Sequence, residues 1–144
     1  MTVHDAVLSE LDPEVLYRIL RLRSEVFVVE QQCVYLDQDG RDAEPSARQL
    51  WIERDGKIAA TLRLLTDAGG VRRIGRVATA LSARGAGLAG ELMERAVELC
   101  AGAEIVLDAQ SYLVDWYQRF GFEPSGPEYL EDGIPHVPMR RTAG

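Results

Sequence analysis

The chain is poor in the features that would tie it to nucleic acid, a membrane or a disulfide scaffold. Lys57 is its only lysine, and 23 acidic residues against 16 basic ones leave a formal net charge of −7. A nucleic-acid surface needs a basic face, so that class of partner is excluded. The two cysteines, Cys33 and Cys100, stand far apart and without metal-ligand spacing. They read as reduced thiols in a cytoplasmic protein. No stretch nears the roughly 18 consecutive apolar residues of a membrane span. The N-terminus carries Asp5, Glu10, Asp12 and Glu14 where a signal peptide would have an apolar core, so no secretory route is expected. Repeats, low-complexity segments and long linkers are absent as well.

What is present is an ordinary globular balance, 47% hydrophobic and 27% charged over 144 residues. That suits one domain, residues 1–144, around one core. Thr2 to Leu8 reads as a short edge strand. Asp12-Pro13 reads as an N-cap and first helical position, and Leu16, Ile19, Leu20 and Phe27 carry the helical spacing on to about Val29. Cys33 to Ala47 reads as loop. Gln49 to Arg54 and Lys57 to Thr66 are strands joined at Asp55-Gly56, a strong hairpin signal. A third strand, Val71 to Thr79, loses its alternation around Gly75-Arg76-Val77, which indicates a bulge or a splayed edge. Leu88, Leu92, Ala96 and Leu99 line one face of a helix reaching about Cys100. Ile105 to Leu107 reads as a central parallel strand. Ser111 is expected to cap a short helix from Tyr112 to Phe120 that ends at Gly121, with strands from Phe122 and from His136 to Arg140. The order β-α-β-β-β-α-β-α-β-β makes a mixed α/β sheet with a helix on each side of a short parallel pair.

Between the third strand and its helix lies Arg84-Gly85-Ala86-Gly87-Leu88-Ala89-Gly90. A small-residue loop opening a helix presents free backbone N–H groups and the positive end of the helix dipole, a site for an anion such as phosphate. Gly85 to Gly90 also satisfies GxGxxG, but that fingerprint belongs in a βαβ unit followed by an acid on the next strand. An antiparallel meander precedes it here, and Asp108 falls at the far end of its strand. Asp37-Gln38-Asp39-Gly40-Arg41-Asp42 looks like part of a calcium loop, yet its acids begin too late in the pattern and Arg41 follows the glycine. It reads as a turn with solvated acids, and no metal is expected.

Arg84 to Ala89 fits Arg/Gln-x-x-Gly-x-Gly/Ala, the signature of the GNAT N-acetyltransferases. Ile74-Gly75-Arg76-Val77-Ala78-Thr79 resembles that family's splayed strand, and Asp115-Trp116-Tyr117-Gln118-Arg119-Phe120-Gly121-Phe122 its second signature. Leu22 to Gln31, Tyr35 to Gly40 and Asp132 to His136 are similar to the ElaA-type branch, so the resemblance covers nearly the whole chain. It implies an acyl-CoA N-acyltransferase fold: a mixed, mostly antiparallel sheet flanked by helices, with a central splayed parallel pair. It implies acetyl-CoA or another acyl-CoA as donor and a small-molecule or peptide amine as acceptor. Homodimers are common in such folds. The pyrophosphate would lie on backbone N–H groups of Arg84, Gly85, Ala86, Gly87, Leu88, Ala89 and Gly90, and the pantetheine arm along Val77, Ala78 and Thr79. Tyr117 would be the general acid for the departing thiolate.

The base that deprotonates the amine is open among His136, Glu30, Glu131, Asp132 and a water relay. His136 has a suitable ordinary pKa, although a structural hydrogen bond is the alternative reading of a lone histidine near a strand start. A non-catalytic acyl-CoA sensor of the same fold is the competing function. A relative of the acyl-homoserine-lactone synthases is a third, since Arg23 to Phe27 resembles their first helix.

Overall fold

Asp12 opens the first helix in the computed structural model, which describes residues 2–143. Its carboxylate accepts the Glu14 N–H at 2.8 Å and Pro13 takes the first helical position, giving α1, Pro13–Arg23. The helical path continues toward Val29 as expected, but Ser24–Glu30 is wound as a π-helix. A π segment is wider than an α-helix and is common at functional sites. Here it carries Val26 into the core and brings Phe27 and Glu30 to a cleft.

Strands β1 (His4–Val7), β2 (Arg48–Arg54), β3 (Lys57–Thr66) and β4 (Arg72–Thr79) are antiparallel neighbours. The β2–β3 hairpin turns on Asp55 and Gly56, both at positive φ, 54° and 74°, as a type I′ turn requires. Strand β5 (Ile105–Gln110) lies parallel to β4, and β8 (Ile134–Arg141) antiparallel to β5. Strands β6 (Glu123–Pro124) and β7 (Tyr129–Glu131) both pair β8. The path across the sheet is β1-β2-β3-β4-β5-β8-β6.

The far end differs from the sequence expectation in three ways. The last strand starts at Ile134 rather than His136, and it is the second arm of a hairpin whose first arm, β7, carries no readable alternation in three residues. The expected Tyr112–Phe120 helix is a 3₁₀ turn, Ser111–Leu113, followed by α3, Val114–Gln118. Ser111 caps nothing; its hydroxyl donates to the Glu128 carboxylate at 2.8 Å.

Both faces of β3 are buried, although its sequence alternates as if one were wet. Ala60, Leu62 and Leu64, with Leu50 and Ile52 of β2, pack under Leu92, Met93 and Ala96 of α2 (Leu88–Leu99). Trp51 points the other way, under Ile19, Leu22 and Val26. Thr61 and Arg63 share the Trp51 face through the register Trp51↔Thr61 and Gln49↔Arg63, and they too are buried. One sheet therefore separates an apolar core under α2 from a partly polar one under α1. No helix among the described residues is long and apolar enough to cross a membrane.

Candidate active site

The site begins where the sheet opens. Strand β4 pairs with β5 only at Arg72↔Ile105 and Arg73↔Val106; beyond that point β5 follows β8 and the two strands diverge. The expected bulge is present: Thr61 opposes Ala78 and Arg63 opposes Gly75, so Arg76 and Val77 together face Leu62. Arg76 takes a positive φ of 51° to make it. The ladder to β3 is broken at that point, and the β4 edge from Ile74 onward faces a cleft of about 1100 Å³.

One end of the cleft is the small-residue loop. Gly85 and Gly87 sit at φ 84° and 76°, where a side chain would be strained, and Gly87 is the N-cap of α2. The first helical bond runs from the Glu91 N–H to the Gly87 carbonyl at 3.2 Å, so Leu88, Ala89 and Gly90 have no intrahelical acceptor for their N–H groups. Gly85, Gly87, Leu88, Ala89 and Gly90 all line the cleft. The Arg84 guanidinium is engaged elsewhere. It donates to both Glu30 oxygens at 2.8 and 2.6 Å and to the Thr79 carbonyl at 3.2 Å. That bond pulls the Glu30 carboxyl below its usual range, and with both oxygens bound Glu30 is a poor base. Arg119 also lines the cleft, is exposed, and forms no ion pair among the described residues. It belongs to the same short motif as Tyr117, but nothing in the sequence distinguishes it from a surface arginine.

Tyr117 lines the cleft, buried to 7% exposure, with its ring edge-on to Trp116 and Phe122 at 4.9 and 6.4 Å. Burial pushes its phenol well above the ordinary value, so it stays protonated at neutral pH, as an acid must. His136 also lines the cleft. Its Nδ1 is 2.7 Å from the Ile134 carbonyl, and a carbonyl only accepts, so Nδ1 carries the proton. Nε2 is then the free lone pair, with Glu131 Oε2 4.0 Å away. Glu131 and Asp132 line the cleft beside it, and neither pairs with an arginine among the described residues.

The acids of Asp37 to Asp42 are all paired with arginines, and Asp37 and Asp42 are largely withdrawn from solvent while Asp39 stays partly exposed, which differs from the expected turn with solvated acids. Asp37 is 2% exposed and binds Arg23 Nε and Arg76 Nε, each at 2.8 Å. Asp42 holds both Nη atoms of Arg23 at 2.7 and 3.1 Å, and Asp39 holds those of Arg63 at 2.8 and 3.0 Å. Burial pushes the Asp39 carboxyl up, but the Arg63 fork and the Arg41 N–H outweigh it and hold it at about 2. Asp42 is held low in the same way, with burial opposed by Arg23 and Arg63. This network clamps the 35–42 loop onto α1, β3 and β4. Its inner face, with Tyr35, Leu36 and Asp39, becomes a wall of the cleft.

Comparison with known proteins agrees with this geometry. A family model described as an acetyltransferase (GNAT) domain matches residues 21–143. A UPF0039 protein of Mycobacterium tuberculosis is 47% identical over 137 residues, spanning 92% of this chain and 88% of the relative. Protein ElaA of Escherichia coli is 38% identical over 139 residues, spanning 92% and 91%; its crystal structure superposes with a TM-score of 0.91 at 36% identity over 97% and 98% of the two chains. The crystal structure of an acyl-CoA N-acyltransferase from Pseudomonas aeruginosa matches at TM-score 0.93 and 40% identity, covering 99% of this chain and 100% of that one. The mixed sheet with its splayed parallel pair is the acyl-CoA N-acyltransferase fold.

Proposed function

The chain belongs to the GNAT acetyltransferase family, in its ElaA-type branch, and on that premise we propose that it moves an acyl group from acyl-CoA, acetyl-CoA in the simplest case, to an amine. The observation that carries the reading is that one cleft joins the N–H groups of Leu88, Ala89 and Gly90 at the start of α2, the edge of β4 that β5 leaves unpaired and the buried phenol of Tyr117, with Ala86 alone of the expected loop residues not lining it. The loop N–H groups would take the pyrophosphate, with Arg119 adding charge at the mouth. The pantetheine arm would lie along Val77, Ala78 and Thr79 as an added strand. The N–H of Val77, at the bulge, or of Thr79 suits the thioester oxygen as negative charge develops on it.

In the reaction the amine nitrogen bonds to the thioester carbon and the C–S bond breaks. The amine proton passes to His136 Nε2, directly or through water, and the Tyr117 O–H protonates the departing thiolate. Solvent then restores both groups. The two unpaired thiols, Cys33 and Cys100, suit a reducing, cytoplasmic setting.

The test is acetyl-CoA turnover over a panel of amines, with CoA affinity measured alongside. Tyr117→Phe is expected to lower kcat about a hundredfold, the low end for a general acid, and to leave the Kd for CoA unchanged. An unaltered kcat removes Tyr117 from that role. Tight CoA binding with no turnover of any amine makes the chain a sensor instead.

A further inference from the structure

Tyr129 faces His136 in direct register across the β7–β8 hairpin, and their rings stack with centroids 5.8 Å apart and planes inclined by 24°. Side chains of cross-strand partners project from the same face of a sheet. On the other side β5 pairs Gln110 with His136 and Asp108 with Pro138, which puts Asp108 on that face too. Tyr129, Glu131, His136 and Asp108 thus form one constellation, and the last three line the cleft.

The constellation is braced from behind. The Asp108 carboxylate accepts from Arg73 Nη1 at 3.2 Å. Arg73 Nε is tied in turn to Asp67 at 2.8 Å. The face of the Tyr129 ring lies on the imidazole. The bond to Ile134 alone pins His136 Nδ1 but leaves the ring free to swing about that contact. A stacked aromatic face hinders that swing, and with it the ring flip that would exchange the two nitrogens. The charged groups around the imidazole are Glu131 on β7, Asp132 in the turn, and Asp108 on β5 with Arg73 behind it.

We propose that Tyr129 is a positioning residue, holding His136 in the Nδ1–H tautomer with Nε2 presented to the amine. This rests on the reading of His136 as the base. The chain has only two histidines, His4 and His136, so a long-range ¹H–¹⁵N spectrum of labelled protein above the imidazole titration resolves both. Wild type and Tyr129→Phe are expected to show a single Nδ1–H pattern for His136, and Tyr129→Ala a mixture of tautomers. In parallel, Tyr129→Ala should lower kcat about tenfold and alter the acid limb of the kcat/KM pH profile, with the Kd for CoA unchanged as evidence of folding; the Phe variant should recover to within about threefold of wild type. A single Nδ1–H tautomer and a wild-type pH profile in Tyr129→Ala overturn the proposal. Full activity in His136→Asn overturns the assignment of the base, while the tautomer spectra still decide what Tyr129 does.

Discussion

At the scale of single residues, Arg84 is the sharpest case, because the cation that heads the small-residue loop is already held by a carboxylate. Glu30 occupies both ends of its guanidinium, and the two side chains are 45% and 37% exposed. A phosphate approaching the loop must compete with that carboxylate for Arg84. Glu30→Gln is therefore expected to tighten CoA binding about twofold to fivefold, the range set by an exposed ion pair worth at most about 1 kcal/mol. Calorimetric titration of the variant checks this, and the gain should vanish in an Arg84→Ala background. Weaker binding in Glu30→Gln would mean that the carboxylate orders the loop instead. Residues placed by their own local motif can be located from the chain: Tyr117, before Gly121-Phe122, is buried and lines the cleft. Partnerships cannot: Glu30 and Arg84 are 54 positions apart, and Asp37 finds Arg76 across 39. A run of acids looks solvated until the fold brings the arginines to it.

At the scale of elements, the glycines at the start of α2 do two separable things. They permit positive φ, and they keep a Cβ out of the N–H cradle. A Cβ built on Gly85 or Gly87 meets nothing within 4 Å in the protein itself, so the stability cost of alanine there is conformational only, about 1 kcal/mol each. Its effect on CoA binding is a distinct prediction, since the added methyl stands where the pyrophosphate would lie. Gly102→Ala, at φ 84° in the turn after α2 and outside the cleft, supplies the control. Thermal melts should show similar losses for Gly87→Ala and Gly102→Ala, while only Gly87→Ala weakens CoA, by about tenfold or more. Equal CoA affinity in both would remove the loop from phosphate binding. Elements with a strong local code were legible in advance: the Asp12-Pro13 start, the Asp55-Gly56 hairpin, the amphipathic α2 and the bulge at Gly75-Arg76-Val77. The π segment was not, because seven residues are too few to separate its period from 3.6. Strand β7 was not, because three residues are too few to alternate.

At the scale of the whole molecule, the two sides of the sheet are held by different forces, and this decides how the cleft wall formed by the 35–42 loop responds to pH and mutation. The α2 side is an apolar core built from Leu62, Leu64, Leu92 and Met93, all fully buried. The loop over the other face buries little apolar surface, with Val34 and Leu36 at 101% and 83% exposure, so charge rather than apolar burial attaches it. Three arginines, Arg23, Arg63 and Arg76, meet Asp37, Asp39 and Asp42, and Arg23 is completely buried. Carboxylates held below their unfolded values stabilise the fold fully above the unfolded value and lose that contribution as pH falls through the folded one. For Asp39 the window runs from 3.8 down to about 2, so stability should be level above pH 5 and drop through this range. Asp42→Asn removes the charge that Arg23 grips with both Nη atoms and leaves a buried guanidinium with Asp37 alone. The expected cost is about 3 kcal/mol at pH 7, read from the denaturant midpoint, since breaking one side of a buried pair strands the other charge. The acid-side drop should also be shallower in the variant, which has one fewer carboxylate to protonate. Because Tyr35, Leu36 and Asp39 wall the cleft, loosening this loop should raise the KM for the amine severalfold while the Kd for CoA, set on the α2 side, stays near wild type. A wild-type midpoint at pH 7 in Asp42→Asn would show that the loop is held by something other than these ion pairs, and an equal loss of CoA affinity would show that the two sides of the sheet do not act separately.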